Sequence, residues 1–369
     1  MIDFRYHLVS LISVFLALAV GIALGAGPLK ETIGDTLTGQ VEQLRVEKEE
    51  LRTQLDEASA ELADSQAAFA ASAPDLLEGV LAGRRVAIVQ VGEVLPEARD
   101  QVAERLGAAG ASVSATVQVT ELWDDPEQRS FRQSIAGSLV QWLDPVPSED
   151  AGTGTELAEA LIQSLATAEP TDPGTVSANA VTVMDLLVES GLVTVGEGGV
   201  TAPADAVVVL AGPTVSAAEA EEAVEATPAD QEPAAQELAD ARLTSAAQIA
   251  RAAQERSGGA VVAGGELTDG GLVQRLREDE DAQGRISTVE SVHTLVGQVS
   301  VPLALSARIG GTVGHYGPSE GATAPVPERV VLPVLDRTAV DPALTGTDGT
   351  GTGTDTGSGT GTETGTEQG

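Results

Sequence analysis

Near its start the chain reads LVSLISVFLALAVGIALGA from Leu8 to Ala26, a run of about 19 residues without a charge, which predicts a helix able to cross the hydrocarbon of a bilayer. The run is longer than the 7 to 15 apolar residues of a cleaved signal, so residues 1–30 read as a retained membrane anchor. Ala23 and Gly25 also meet the small-residue needs of a signal peptidase, and cleavage is the alternative. Arg5, His7 and the terminal amine outweigh Asp3 on one flank, while Glu31 and Asp35 follow Lys30 on the other. This bias places the N-terminus in the cytoplasm and everything after residue 30 outside it, as a single-pass protein of the cell membrane. Gly21 and Gly25 form a GxxxG pair that lets two such helices approach closely.

From Leu37 to Phe69 the apolar positions recur at alternating spacings of four and three, which predicts a coiled coil over residues 31–72. Val41, Lys48, Leu55, Leu62 and Phe69 take the a positions, and Leu37, Leu44, Leu51, Ala58 and Ser65 the d positions. A lysine at one a position selects register and a low oligomer number, so a parallel homodimer is expected. Two chains anchored side by side also share a raised effective concentration. The alternative is a single amphipathic helix laid on the domain that follows.

A break is expected at Ser72 to Asp75, and beyond it short β-branched runs alternate with helical periods, the signature of a mainly parallel α/β sheet of Rossmann or flavodoxin-like type over residues 73–340. Strands are expected at Arg85 to Val91, Ser112 to Val119, Ala206 to Ala211, Gly259 to Ala263 and Ile286 to Val289. Helices are expected at Pro96 to Gly110, where Gly110 supplies the stop, at Thr155 to Ala168 and at Ala178 to Ser190. Leu295 to Ile309 reads as a helix that Pro302 should kink or divide in two. The domain should end near Asp336.

Two segments fall outside this core. Glu219 to Asp240 carries eight acids and no base; Ser216 with Glu219 could cap a solvent-facing helix, broken at Pro228 and resuming at Ala234. The Gly/Thr repeat that ends the chain, within residues 341–369, has too little apolar surface to order itself and reads as a disordered tail.

Charge and composition exclude several functions. A net charge of −36 and an isoelectric point near 4.1 repel nucleic acid and anionic surfaces. The absence of cysteine removes disulfides, thiol catalysis and thiolate metal sites. Catalytic material is sparse, with His7, His293 and His315 the three histidines, and no enzyme activity or bound cofactor is expected. The glycine turns Gly212-Pro213-Thr214 and Gly264-Gly265 could cradle an anion, but they match neither GxGxxG nor a phosphate loop.

The densest candidate lies between Ser287 and His293 and between Gly310 and Gly317. Glu290 and His293, three apart, would share a helical face and with His315 could hold a divalent metal. The plainer reading makes Ser287 a helix cap with Glu290 as its capping-box partner, while His315 and Tyr316 pack a turn.

The opening MIDFRYHLVSLISVFLALAVGIALGAGPL, the block ISTVESVHTLVGQVSVPLAL and the later GHYG resemble the actinobacterial MctB family, that of mycobacterial copper-transport protein B. The likeness extends from residue 1 to about 335, with Arg5-Tyr6-His7 and the apolar run as its most specific mark. It implies an envelope membrane protein of copper homeostasis, a channel or efflux component, with copper implied by the resemblance alone. Other relatives resemble septal proteins that help control peptidoglycan hydrolases during cell separation beside a partner similar to a thiamine pyrophosphokinase. That likeness supports the alternative of a dimeric, non-enzymatic envelope scaffold with a septal or wall-hydrolase partner. Against direct copper chemistry, cuprous ions favour thiolates and thioethers, and the chain offers just Met1 and Met184. Against a pore, one span whose polar side chains are Ser10 and Ser13 cannot line a wide aqueous path.

Overall fold

A computed structural model describes residues 4–26, 28–148, 150–212, 232–267, 271–335 and 337. The chain divides into two compact units, residues 1–73 and 74–369. The first unit is helical. Helix α1 (Phe4–Ala26) contains the apolar run, and α2 (Pro28–Leu77) follows as one helix of 50 residues. Pro28 suits the first helical position, where its missing amide costs nothing, and Leu, Glu, Gln, Arg and Ala along α2 are strong helix formers. The expected break at Ser72 to Asp75 does not occur. Pro74 forfeits one backbone bond, yet its own carbonyl accepts from the amide of Glu78 at 2.9 Å, and the fully buried Leu77 holds the last turn.

The second unit is a doubly wound α/β domain. Strands β1 (Arg85–Val91), β2 (Ser112–Val119), β6 (Ala206–Ala211), β7 (Ala260–Gly264) and β8 (Ser287–Val289) fall where the apolar runs placed them. With β5 (Val193–Val195) and β9 (His315–Tyr316) they form a seven-stranded sheet in the order β5-β2-β1-β6-β7-β8-β9. The pairs β1–β2, β1–β6, β6–β7, β7–β8 and β8–β9 are parallel, while β5 (Val193–Val195) closes one edge antiparallel to β2. Counting the five principal strands in chain order, this is the 2-1-3-4-5 arrangement of flavodoxin-like sheets. Every residue of β6 and β7 is buried, as strands covered on both faces must be.

Helix α3 (Pro96–Ala108) connects β1 to β2 and stops where Gly110, at φ +86°, turns the chain. The amide of Ala111 reaches back to the carbonyl of Leu106, as a Schellman-type stop requires. Short α4 (Glu121–Asp124) and α5 (Arg129–Leu139) precede α6 (Thr153–Ala166) and α7 (Ala178–Glu189). The hairpin of β3 (Ala168–Glu169) and β4 (Asp172–Val176) lies between the last two, outside the main sheet.

The acidic segment needs correction. Its Ser216–Glu219 cap and Pro228 lie outside the described residues, but Glu232 begins α8 (Glu232–Arg256), which runs on well beyond Asp240. Parallel strands β6 and β7 need a crossover, and α8 is that crossover, burying Ala246, Ile249, Ala250 and Ala253 in the core. Two short helices, α9 (Leu272–Glu278) and α10 (Glu280–Gln283), link β7 to β8. Helix α11 (Leu295–Ile309) is one element and is not divided at Pro302. Every residue from Gly297 to Ala307 is buried, and this enclosure offsets the amide that proline withholds. After β9 (His315–Tyr316) the chain returns to the start of the domain, where Arg84 donates to the carbonyl of Pro333 and Arg337 pairs with Asp205. The expected end at Asp336 and the Gly/Thr tail of residues 341–369 lie outside the described residues.

Candidate functional site

Phe4–Ala23 is a stretch of 20 residues, none of them buried in the isolated chain, and it is long and apolar enough to cross a membrane by length and composition. At 1.5 Å per residue it spans about 30 Å, the thickness of a bilayer's hydrocarbon. A Cβ added at Gly21 meets no atom, so that face is open to close approach. Gly25 and Leu37 lie where the backbone alone is described. Along α2 the stripe of Val41, Leu44, Leu51, Leu55 and Leu62 is exposed, with Leu55 at 66 %. Lys48, in register with it, is exposed as well. Exposed i,i+3 pairs, Arg45 with Glu42 and Arg52 with Glu49, add little on their own.

At the other end of the chain, strand β8 and the turn after it position Glu290 and His293, and β9 supplies His315. The capping box read from Ser287 and Glu290 is overturned. Ser287 lies within β8, paired with Val261, and because the strand runs on through Val289 no helix starts directly after Ser287 for it to cap. The cap of α11 is Thr294, whose hydroxyl accepts from the amide of Gly297 at 3.2 Å. Nor do Glu290 and His293 share a helical face, since both precede α11.

Glu290 is fully enclosed, its side chain 0 % exposed. One carboxylate oxygen accepts from the amide of Ser319 at 2.8 Å, and the other lies 3.5 Å from a guanidinium nitrogen of Arg277, on α9. Arg277 is the hub of this cluster. Its Nε donates to Thr288 Oγ1 at 3.0 Å and its Nη2 to the carbonyl of Tyr316 at 3.0 Å. Burial pushes the Arg277 guanidinium below its usual value, and the charge of Glu290 opposes that shift. A Cβ at Gly317, φ +143°, would overlap the Glu290 side chain, so the glycine makes room for the acid.

His315 completes the network without a lone pair to spare. Its Nε2 lies 3.1 Å from the carbonyl of Gln283, which can only accept, so Nε2 carries the proton. Thr288 Oγ1 is 2.9 Å from Nδ1 and donates to it. Burial first, then the nearby Arg277 charge, hold the His315 pKa below 6.5, with the bond to Gln283 opposing. His293 stands apart, its Nε2 at 3.8 Å from Glu266. The three metal candidates thus engage different partners, and a guanidinium sits between Glu290 and His315, where a cation would need to go. Among the described residues no three His, Cys, Asp or Glu side chains gather as a metal shell. Arg277, Thr288, Ser319 and Glu266, which define these surroundings, carried no spacing signal in the sequence.

The neutral His315 sets a pH dependence. Its contribution to stability is complete above the unfolded value near 6.5 and is lost as the pH falls from there through the lower folded value. In denaturant titrations of the detergent-solubilised chain, the midpoint should hold steady down to about pH 6.5 and then decline. His315→Asn should flatten that first decline. An equally steep fall in the variant would assign the effect to other groups.

The crevice that usually binds ligands in this sheet lies beyond the carboxyl ends of β1 and β6, where the strand order reverses. Here Gly92, at φ +72°, and Gly212 approach backbone to backbone. The Gly212 amide donates to the carbonyl of Val91 at 2.8 Å, and a Cβ at Gly212 would collide with the backbone of Glu93. Pro213 and Thr214 lie outside the described residues. At the second glycine turn, the carbonyls of Gly264 and Gly265 are taken by the amides of Val292 and Ser291. The adjoining cavity is about 20 Å³, room for one water.

Comparison with known proteins places this geometry in a family. Residues 1–327 match the family described as copper transport outer membrane protein, MctB. The chain is similar to the protein named copper transporter MctB in Mycobacterium tuberculosis, 28 % identical over 327 residues that cover 87 % of this chain and 98 % of the relative. The protein of that name in Mycobacterium leprae is 30 % identical over 336 residues, 88 % of this chain and 98 % of the relative.

Proposed function

Since the chain belongs to the MctB family, we propose that it is a single-pass protein of the cell envelope that serves copper homeostasis as part of a transport or efflux assembly. The match over residues 1–327, which takes in the apolar α1 and nearly all of the α/β domain, carries this reading. Arg5 and His7 at the N-terminal end of the span, and the acids after it, orient the N-terminus to the cytoplasm and the domain outside. The chain acts as a parallel homodimer through α2 and has no catalytic role of its own. Continuing the heptad puts Arg45 and Arg52 at e and Glu47 and Glu61 at g. In a parallel pair Glu47 of one helix then faces the Arg52 position of the other, whereas antiparallel pairing sets like against like.

Copper is cargo in this reading and is handled indirectly. The chain has no cysteine, Met184 is packed in the core, and His315 is committed to neutral hydrogen bonds. Copper selectivity therefore comes from a partner or from the assembled oligomer. Deleting the gene should raise cellular copper and lower copper tolerance, and both should be restored by the full chain but not by one lacking Phe4–Ala26. Unchanged copper content and tolerance in the deletion strain, measured by elemental analysis and growth, would sink the proposal.

A further inference from the structure

Three arginines from three different segments line one cavity of about 170 Å³. Arg251 comes from α8, Arg285 from the turn before β8 and Arg308 from the last turn of α11. The chain has 20 basic residues against 56 acids, so the composition alone would line a cavity with carboxylates. Two acids, Glu255 and Asp281, do line it, yet neither makes an ion pair with any of the three guanidinia. Among the described residues the side chains of Arg251 and Arg285 have no hydrogen bond or ion pair at all. Arg308 is held in place by its Nε, which donates to Gln254 Oε1 at 2.9 Å and to the carbonyl of Arg285 at 3.2 Å. Its outer nitrogens are left for another acceptor. Burial holds the Arg308 guanidinium below its usual value with no carboxylate to oppose the shift, unlike Arg277 beside Glu290.

Gathering three like charges around one cavity costs energy, and the partly buried member lacks a counter-charge. We propose that this cavity is a binding site for a small oxyanion, a phosphate or carboxylate group held by Arg251, Arg285 and Arg308. A guanidinium presents paired N–H donors that match both groups bidentately, and Arg308 is already oriented by its two bonds. The overall charge of −36 does not forbid this, because at physiological salt charges more than about 8 Å away are largely screened. The site is independent of the copper reading and survives if that reading fails.

The test is calorimetric titration of the detergent-solubilised full chain with inorganic phosphate, and separately with acetate, at constant ionic strength. Saturable binding of either at one site per chain is expected, and the better probe identifies the ligand group. Arg251→Ala and Arg285→Ala should each weaken it roughly tenfold, the loss of one charge-assisted contact. Both side chains lack partners among the described residues, so circular dichroism of the variants should match the parent. Absence of saturation with both probes, or parent-like binding in both alanine variants, would overturn the site.

Discussion

Replacing Glu290 with alanine is expected to destabilise the α/β domain by about 3–5 kcal/mol, the cost of leaving a buried partner without its counter-charge. The carboxylate is fully enclosed, Arg277 is nearly so, and the amide of Ser319 would lose its acceptor in the same step. For a domain of this size such a loss corresponds to a melting temperature lower by about 10 °C. Glu290→Gln keeps an acceptor for Ser319 and should cost less. The double variant Arg277→Met with Glu290→Gln should recover part of the loss, since replacing both charges removes the orphan. Thermal and denaturant unfolding of the purified chain measure all three. Parent-like unfolding of Glu290→Ala would show that the pair contributes nothing to stability.

Charging the stripe on α2 should have an effect as large on assembly. Leu51 and Leu55 are adjacent d and a positions, 64 % and 66 % exposed in one chain. Burying each leucine in a helix pair is worth about 1.5–3 kcal/mol, so Leu51→Glu with Leu55→Glu removes about 6–12 kcal/mol from a dimer. That range brackets the roughly 8 kcal/mol of a micromolar complex. Light scattering of the solubilised chain should show the parent as a dimer and the variant as a monomer. The cysteine-free sequence allows an independent check. Leu51→Cys should cross-link between chains under oxidation, while Glu50→Cys, on the outward face, should not. Equal cross-linking at both positions, or a monomeric parent, would discard the pairing.

The parallel sheet was legible because β1, β6 and β7 are short runs of Val, Ile, Leu and Ala, which mark strands buried on both faces. Helix α8 was legible only at its start near Ala234, and its run past Asp240 into the core was not, because its buried stripe is built mainly from alanines behind an acidic start, leaving little contrast between its faces. Strands β5 and β9 have three and two residues and exist through backbone pairing alone, too short to carry a pattern. At the candidate site, the residues Glu290, His293 and His315 were legible as polar anomalies, but their roles were not. The Ser287–Glu290 spacing matched a capping box, and strand pairing with β7 and β9 prevailed over it. Arg277, the partner that decides the chemistry, is brought to Glu290 by the packing of α9 on β8, which no local spacing encodes.

The backbone contact of Gly92 with Gly212 has a consequence for how such a domain can be engaged. In related architectures the rim between the central strands is where nucleotides dock, and among the described residues the backbones of Gly92 and Gly212 meet there in this chain. Restoring such a pocket would require parting two strands of the core, not trimming side chains. Ligands for this rim should therefore be sought among molecules that sit over the Gly92–Gly212 contact and not between the two strands.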